Sequence, residues 1–278
     1  MTIAALIITK NEETTIAACI ESCRFADRVI VLDSHSDDAT RDIAESLGAV
    51  VHMRPFDDYA SQRNAAIQLA RDYDWVLMID ADERCSPELA TEISRTIQNA
   101  PAKIGMYRLR RKDMFFSTWL RRASGYPTWF ARLARPRQAQ VVRAINEECV
   151  VDGGEGRLVN HLIHEPFAKG IVHWVDRHNR YSTLEARQLL HERAQGLTGL
   201  ASLNSNYASA RRLLKQLFYR MPCRPTVAFL YLYLFRGGFL DGVAGYRYCR
   251  LRAMYEYMIV LKMAELQHSA RLQSAVKP

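Results

Sequence analysis

Asp80 and Asp82 stand one residue apart, with Ala81 between them, directly after the apolar run Trp75 to Ile79. A buried strand ending in two carboxylates can hold a divalent cation between protein and a diphosphate. Mg²⁺ or Mn²⁺ takes few carboxylates and completes its shell with phosphate oxygens and water. Such a cation neutralises a departing nucleoside diphosphate. An isolated Asp-x-Asp can equally be a polar loop with helix-capping acids, so its setting decides. Two other strand candidates also end in polar residues, Thr9-Lys10-Asn11-Glu12-Glu13 and Asp33-Ser34-His35-Ser36-Asp37-Asp38. Polar strand ends gathered at one edge are where an open α/β sheet binds its ligand.

The elements that must position these residues follow from the apolar pattern. β-branched runs at Ile3 to Ile8, Arg28 to Leu32, Val50 to Met53 and Trp75 to Ile79 predict strands. Between them Glu12 to Arg24, Asp38 to Leu47 and Tyr59 to Asp72 predict helices, the order of a parallel sheet with crossover connections. Pro87 to Ala100 reads as a helix with Ser86 as N-cap and Pro87 at its first position. Ile104 to Val151, rich in Arg, aromatic residues and turn signals, predicts two or three more strands and the acceptor side of a cleft. From His173 onward the pattern is helical, with long stretches at Tyr181 to Ala194, Thr226 to Phe235 and Tyr246 to Glu265. No Gly-x-Gly-x-x-Gly follows the first strand and no Gly-Lys-Ser/Thr loop occurs, which disfavours a dinucleotide oxidoreductase and a P-loop nucleotidase.

With 278 residues, 49% apolar and 24% charged, the chain can bury a full core. Its six cysteines include no Cys-x-x-Cys pair, which argues against a zinc site and a disulfide framework and fits a reducing cytosol. Met1 to Ile8 lacks the basic n-region and cleavage site of a signal peptide and reads as a strand. The longest apolar window of the helical region, Thr226 to Phe235, has ten residues, well short of a spanning helix. Net charge is +8, but from Asn206 onward twelve Lys or Arg face three acids, so the basic character belongs to the C-terminal segment. No nucleic-acid-binding motif accompanies it, and an anionic membrane surface or a phosphorylated glycolipid is the expected partner.

The runs Leu6-Ile7-Ile8-Thr9-Lys10-Asn11-Glu12-Glu13 and Val29-Ile30-Val31-Leu32-Asp33-Ser34, with Gln62-Arg63-Asn64 and Asp80-Ala81-Asp82-Glu83-Arg84, carry a resemblance. Together with Ile145-Asn146-Glu147, Leu162-Ile163-His164 and Gly238-Phe239-Leu240-Asp241-Gly242, the chain resembles the inverting family-two glycosyltransferases of GT-A fold. More narrowly it is similar to bacterial lipopolysaccharide-core β-1,4-glucosyltransferases. The resemblance implies an α/β GT-A domain over residues 1–170, with a nucleotide-sugar half at 1–100 and an acceptor half at 101–170, then a helical, basic region at 171–278. It implies that Thr9, Asn11 and Glu12 line the base and ribose pocket with Asp33 and Ser34 beside them, and that Arg63 contacts the nucleotide. Asp80 would face the ribose and donor sugar, with Ala81 next to it in the nucleotide site. Asp82 would be the main metal ligand, and His164 could complete the metal site. Glu147 matches the family's base, with Asn146 in place of the usual His before it and Glu148 as a rival. His35 stands where the family has Gly between two serines.

The implied reaction moves a hexose, glucose from UDP-glucose, to a lipopolysaccharide-core or related glycolipid, with Mg²⁺ or Mn²⁺ on the diphosphate. Trp129 could stack on a sugar or pack in the core, and Arg132 could meet an acceptor phosphate. The C-terminal helices suit an interfacial hairpin at the inner face of the cytoplasmic membrane, a helical cap, or a dimer interface. A polyprenyl-phosphate glycosyltransferase and a non-catalytic nucleotide-sugar-binding membrane protein remain the rival readings.

Overall fold

The computed structural model describes residues 1–142, 148–194, 218, 221 and 223–275. They fall into two compact units, Met1–Trp119 with Tyr126–Ala168, and Leu120–Gly125 with Lys169–Pro278.

In the first unit β1 (Ile3–Thr9), β2 (Arg28–Asp33), β3 (Val50–Met53) and β4 (Trp75–Asp80) pair in parallel in the order β3-β2-β1-β4. The sheet continues through β8 (Trp129–Ala134), antiparallel to both its neighbours, to β6 (Ile104–Phe115), β11 (Gly154–His164) and β5 (Glu83–Cys85). A short β7 (Thr118–Trp119) pairs with β6, and β9 (Ala139–Val142) with β10 (Glu148–Val151) forms a separate hairpin.

β1, β2 and β4 are apolar nearly throughout rather than alternating because both faces of this part of the sheet are covered. Ile3, Ala5, Ile7, Leu77 and Ile79 face α1 (Ile16–Ser22) and α4 (Pro87–Asn99), meeting Ile16, Ile20, Leu89 and Ile93. Ala4, Leu6, Val76, Met78 and Met106 face α3 (Tyr59–Leu69) and the hairpin, meeting Ala66, Ile67, Val141 and Cys149. Ser86 caps α4 as its sequence predicts, its hydroxyl accepting from the Leu89 amide at 3.2 Å. α1 and α2 (Thr40–Ser46) start later than their apolar pattern predicts. The preceding residues are held in turns, with the Thr15 and Ile16 amides both on the Glu12 carbonyl and the Thr40 amide on the Asp38 carboxylate.

In the second unit α5 (Gly170–Ala194) packs on α7 (Gly242–Ala275) through Ala186, Leu189, Ile259 and Met263. Lys262 donates to Asn179 Oδ1, Ser182 and Thr183 at 2.6–2.8 Å across the same contact. The apolar stretch after Arg224 is not one α-helix. α6 (Arg224–Leu230) passes into a π-helical turn at Tyr231–Phe235, and a 3₁₀ turn at Gly238–Asp241 leads to α7. This bend needs glycine. A Cβ on Gly245 would lie 2.0 Å from the Gly238 carbonyl oxygen, and one on Gly238 would lie 2.7 Å from that of Leu232. Asp241 in turn accepts from the Arg122 and Ala123 amides, both at 2.8 Å. No single helix among the described residues is long and apolar enough to cross a membrane, though Arg224–Phe235 and Gly238–Leu272, bent by 72°, together have the length and composition.

Candidate active site

The C-terminal ends of β1, β2 and β4 carry the polar loops. The β1 and β2 loops are tied to each other by backbone and side chains. The Ser34 amide donates to the Thr9 carbonyl at 2.9 Å, and the Asn11 amide donates to Ser36 Oγ at 2.8 Å. Asn11 Oδ1 accepts from the Asp37 amide at 2.8 Å, and the Glu12 amide donates to Thr40 Oγ1 at 2.7 Å. Asp33 is fully buried, with both carboxylate oxygens taken by Ser36, so its part is to shape the loop from beneath. Asn11 and His35 both have left-handed backbone, φ 54° and 59°. That conformation explains why glycine suits the His35 position; Asn and His are among the residues that tolerate it. Thr9 Oγ1 is buried without a hydrogen-bond partner among the described residues.

α3 fixes three parts of the unit through three consecutive residues. Gln62 Nε2 donates to Ser34 Oγ at 2.9 Å, Arg63 Nη2 to Asp80 Oδ1 at 2.6 Å, and Asn64 exchanges two 2.8 Å bonds with the Val141 backbone of β9. Arg63 is therefore bound to the Asp80 carboxylate rather than standing open to the nucleotide. Both Gln62 and Arg63 are buried on the helix face that carries Ala66 and Ile67.

Around Asp80 the charges form a continuous chain. Arg132 Nη2 lies 2.5 Å from Asp80 Oδ2 and 2.8 Å from Glu83 Oε1. Arg111 bridges Glu83 at 3.3 Å and Asp113 at 2.9 Å. Asp113 holds His164 Nδ1 at 2.6 Å, and His164 Nε2 faces Asp82 Oδ2 at 3.4 Å. Glu83 is fully buried, and its other oxygen accepts from the Asp80 amide at 3.1 Å, which closes the turn between the two acids. Burial works to raise the Asp80 pKa, yet Arg132 and Arg63 hold it well below the usual carboxylate range. Burial likewise opposes charge on His164, but Asp82 and the bond to Asp113 outweigh it and raise its pKa to about 9.

Arg132 reaches this chain through a β-bulge. Tyr107 pairs with Leu133 and Arg108 with Ala131, so Arg132 is the extra residue of β8, and a bulge of this kind re-aims a side chain. The expectation that Arg132 meets an acceptor phosphate is thus corrected, because its guanidinium is buried and bound to Asp80 and Glu83. Trp129 is not in the core, and its ring lies close to the Arg110 and Arg157 guanidinium carbons, at 5.6 and 5.0 Å. Glu147 lies outside the described residues, and Glu148 opens β10 as an exposed residue.

Among the described residues no group of three or more His, Cys, Asp or Glu is placed to hold a metal ion. Asp82 and His164 could serve as two ligands of a cation, with Asp113 fixing the second nitrogen of the imidazole, the carboxylate–histidine arrangement known to orient a metal-binding His. Two protein ligands suit a cation whose remaining positions go to phosphate oxygens and water, as Mg²⁺ and Mn²⁺ prefer. Asp113 and Arg111 escaped the sequence reading, and Glu83, part of the Asp80-Ala81-Asp82-Glu83-Arg84 run, had no role in it.

The profile of Glycosyl transferase family 2 matches residues 4–164. The uncharacterized glycosyltransferase RC0292 of Rickettsia conorii is 34% identical over 199 residues, covering 68% of this chain and 70% of its own length. The lipopolysaccharide core biosynthesis glycosyltransferase LpsC of Rhizobium meliloti is 24% identical over 278 residues, covering 94% of this chain and 91% of its own. Among solved structures, glucosyl-3-phosphoglycerate synthase from Mycobacterium tuberculosis, in complex with Mn²⁺, UDP and glucosyl-3-phosphoglycerate, aligns at 21% identity and a TM-score of 0.38. That alignment covers 49% of this chain and 57% of that one, little more than half its length. With the profile spanning more than half of the sequence and a parallel half-sheet ending in Asp-x-Asp, the chain belongs to glycosyltransferase family 2, and its α/β fold is of the GT-A type.

Proposed function

We propose that this glycosyltransferase is metal-dependent and inverting, and that it moves glucose from UDP-glucose to a hydroxyl of a lipopolysaccharide-core or related glycolipid. The observation that carries the reading is the Asp82–His164 pair, with His164 oriented by Asp113 at the end of a fully engaged ion chain. Asp82 and His164 would hold Mg²⁺ or Mn²⁺, whose charge offsets that of the leaving diphosphate. Asp80, fixed by Arg63 and Arg132, presents its carboxylate edge toward ribose and donor sugar. Thr9, Asn11, Glu12 and Ser34 border the nucleotide, and the unpartnered Thr9 hydroxyl is a donor that a bound nucleotide would satisfy. Glu147 takes the proton of the acceptor hydroxyl in a single displacement. The relation to LpsC supports the lipopolysaccharide-core acceptor.

A membrane-held acceptor calls for a membrane-facing surface, and the exposed apolar side chains at the bend between α6 and α7 support that reading. Phe235 is 84% exposed, and Leu234, Leu240 and Val243 are each more than half exposed beside Arg236 and Arg247. Apolar side chains at an exposed turn with cations around them suit insertion among anionic headgroups, with the protein peripheral on the inner face of the cytoplasmic membrane.

A UDP-release screen tests the reading, with UDP-glucose, UDP-galactose and UDP-N-acetylglucosamine offered with Mn²⁺ and a lipopolysaccharide-core extract. Release from UDP-glucose, abolished in Asp82→Ala, is the expected result. No release from any donor, or release that survives Asp82→Ala, would refute it.

A further inference from the structure

A second cluster of cations alternates along β6 with the residues of the ion chain. Arg110 pairs with Trp129 and Arg108 with Ala131 across β6 and β8, on the face that Met106 shares with α3 and the β9–β10 hairpin. Arg110 and Arg157 lie close to the Trp129 ring, Arg110 also lies 5.9 Å from the Tyr126 ring, and Lys112 lies 4.7 Å from that of Trp119. The Tyr126 hydroxyl is 2.7 Å from His161 Nε2, whose pKa is lowered to about 4 by burial and by Arg110 and Lys112. Arg108 is neutralised by Glu155 at 2.7 Å. In contrast, Arg110, Lys112 and Arg157 have no carboxylate in ion-pair contact among the described residues. Arg110 Nε is buried without a hydrogen-bond acceptor. Cations gathered on aromatic plates without a carboxylate in ion-pair contact are arranged for an anion that the described residues do not supply.

We propose that Arg110 and Arg157, both held close to the Trp129 ring, form an acceptor subsite that binds the oxyanion, phosphate or carboxylate, of a charged sugar. The inference rests on the glycolipid reading and deepens it, because it makes the acceptor an anionic saccharide. The Trp129 ring orients two guanidiniums rather than stacking on a neutral sugar, and planar guanidiniums match a carboxylate or phosphate in a fork. The position fits an acceptor. Trp129 is three residues along β8 from Arg132, which holds Asp80, a distance of about 10 Å at the rise of a strand. The same face carries the β9–β10 hairpin.

Calorimetric titration of the full chain with glucose 6-phosphate, glucuronate and glucose, in Mn²⁺ and UDP, tests this. The charged sugars are expected to bind at least tenfold more tightly than glucose. Arg110→Gln with Arg157→Gln is expected to remove that preference. The exposed Arg157→Gln alone, a change that leaves the half-buried Arg110 in place, is expected to weaken it severalfold. Whichever of glucose 6-phosphate and glucuronate binds more tightly tells phosphate from carboxylate. Equal binding of all three sugars, no binding of any, or an unchanged preference in the double variant would overturn the proposal. UDP affinity measured on the same wild-type sample separates the two readings, since its failure would sink the donor site and leave the charged-sugar preference to be judged by itself.

Discussion

Two sets of three cations gather around one sheet and differ in one respect. Arg63, Arg111 and Arg132 each lie against a carboxylate, sharing Asp80, Glu83 and Asp113. Arg110, Lys112 and Arg157 lie against aromatic rings instead. The first set has its charge balanced within the fold, so its work is to hold Asp80 and Asp82 in place. The second keeps its charge available. A transferase needs both conditions at once, a rigid frame on the donor side and an unsatisfied field where a charged partner arrives.

The contrast can be broken hardest at Arg132. Arg132→Met leaves the fully buried Glu83 short of its nearest cation, and the expected loss of stability is about 3–5 kcal/mol, read by chemical denaturation. A loss under about 1 kcal/mol would mean that the chain of charges is not a frame. Asp113→Asn should act more narrowly, weakening Mn²⁺ affinity about 10- to 100-fold by releasing the His164 ring while the fold persists. Metal titration followed by electron paramagnetic resonance would report it. The smallest effect belongs to the other set. Arg157→Gln should change stability by no more than about 0.5 kcal/mol, because it breaks no ion pair. A large destabilisation there would erase the distinction between the two regions.

The order of β1 to β4 and the acids that end them were legible in the sequence, because apolar runs closed by polar loops report a parallel sheet directly. The second tier of the site was not. Asp113 and His164 are neighbours only because β6 and β11 pair in parallel with a register shift, which no spacing along the chain announces. Arg132 reads as an outward strand residue until the bulge turns it toward Asp80. The Gln62-Arg63-Asn64 triplet gave a fainter signal, three polar residues inside a helix that otherwise buries Ala66 and Ile67. The π-helical turn at Tyr231–Phe235 left no mark in the apolar pattern, whereas the glycines at 238 and 245 are the residues that its tight bend requires.

The proposed transfer requires Asp82 to help hold a cation against the nucleotide. Calorimetric titration of UDP into the wild-type chain and Asp82→Ala, each in Mn²⁺ and in EDTA, measures this directly. The wild type should bind at least tenfold more tightly in Mn²⁺ than in EDTA, and Asp82→Ala should show no difference between the two. Equal wild-type affinity in both buffers, or a Mn²⁺ effect that survives in Asp82→Ala, would contradict it.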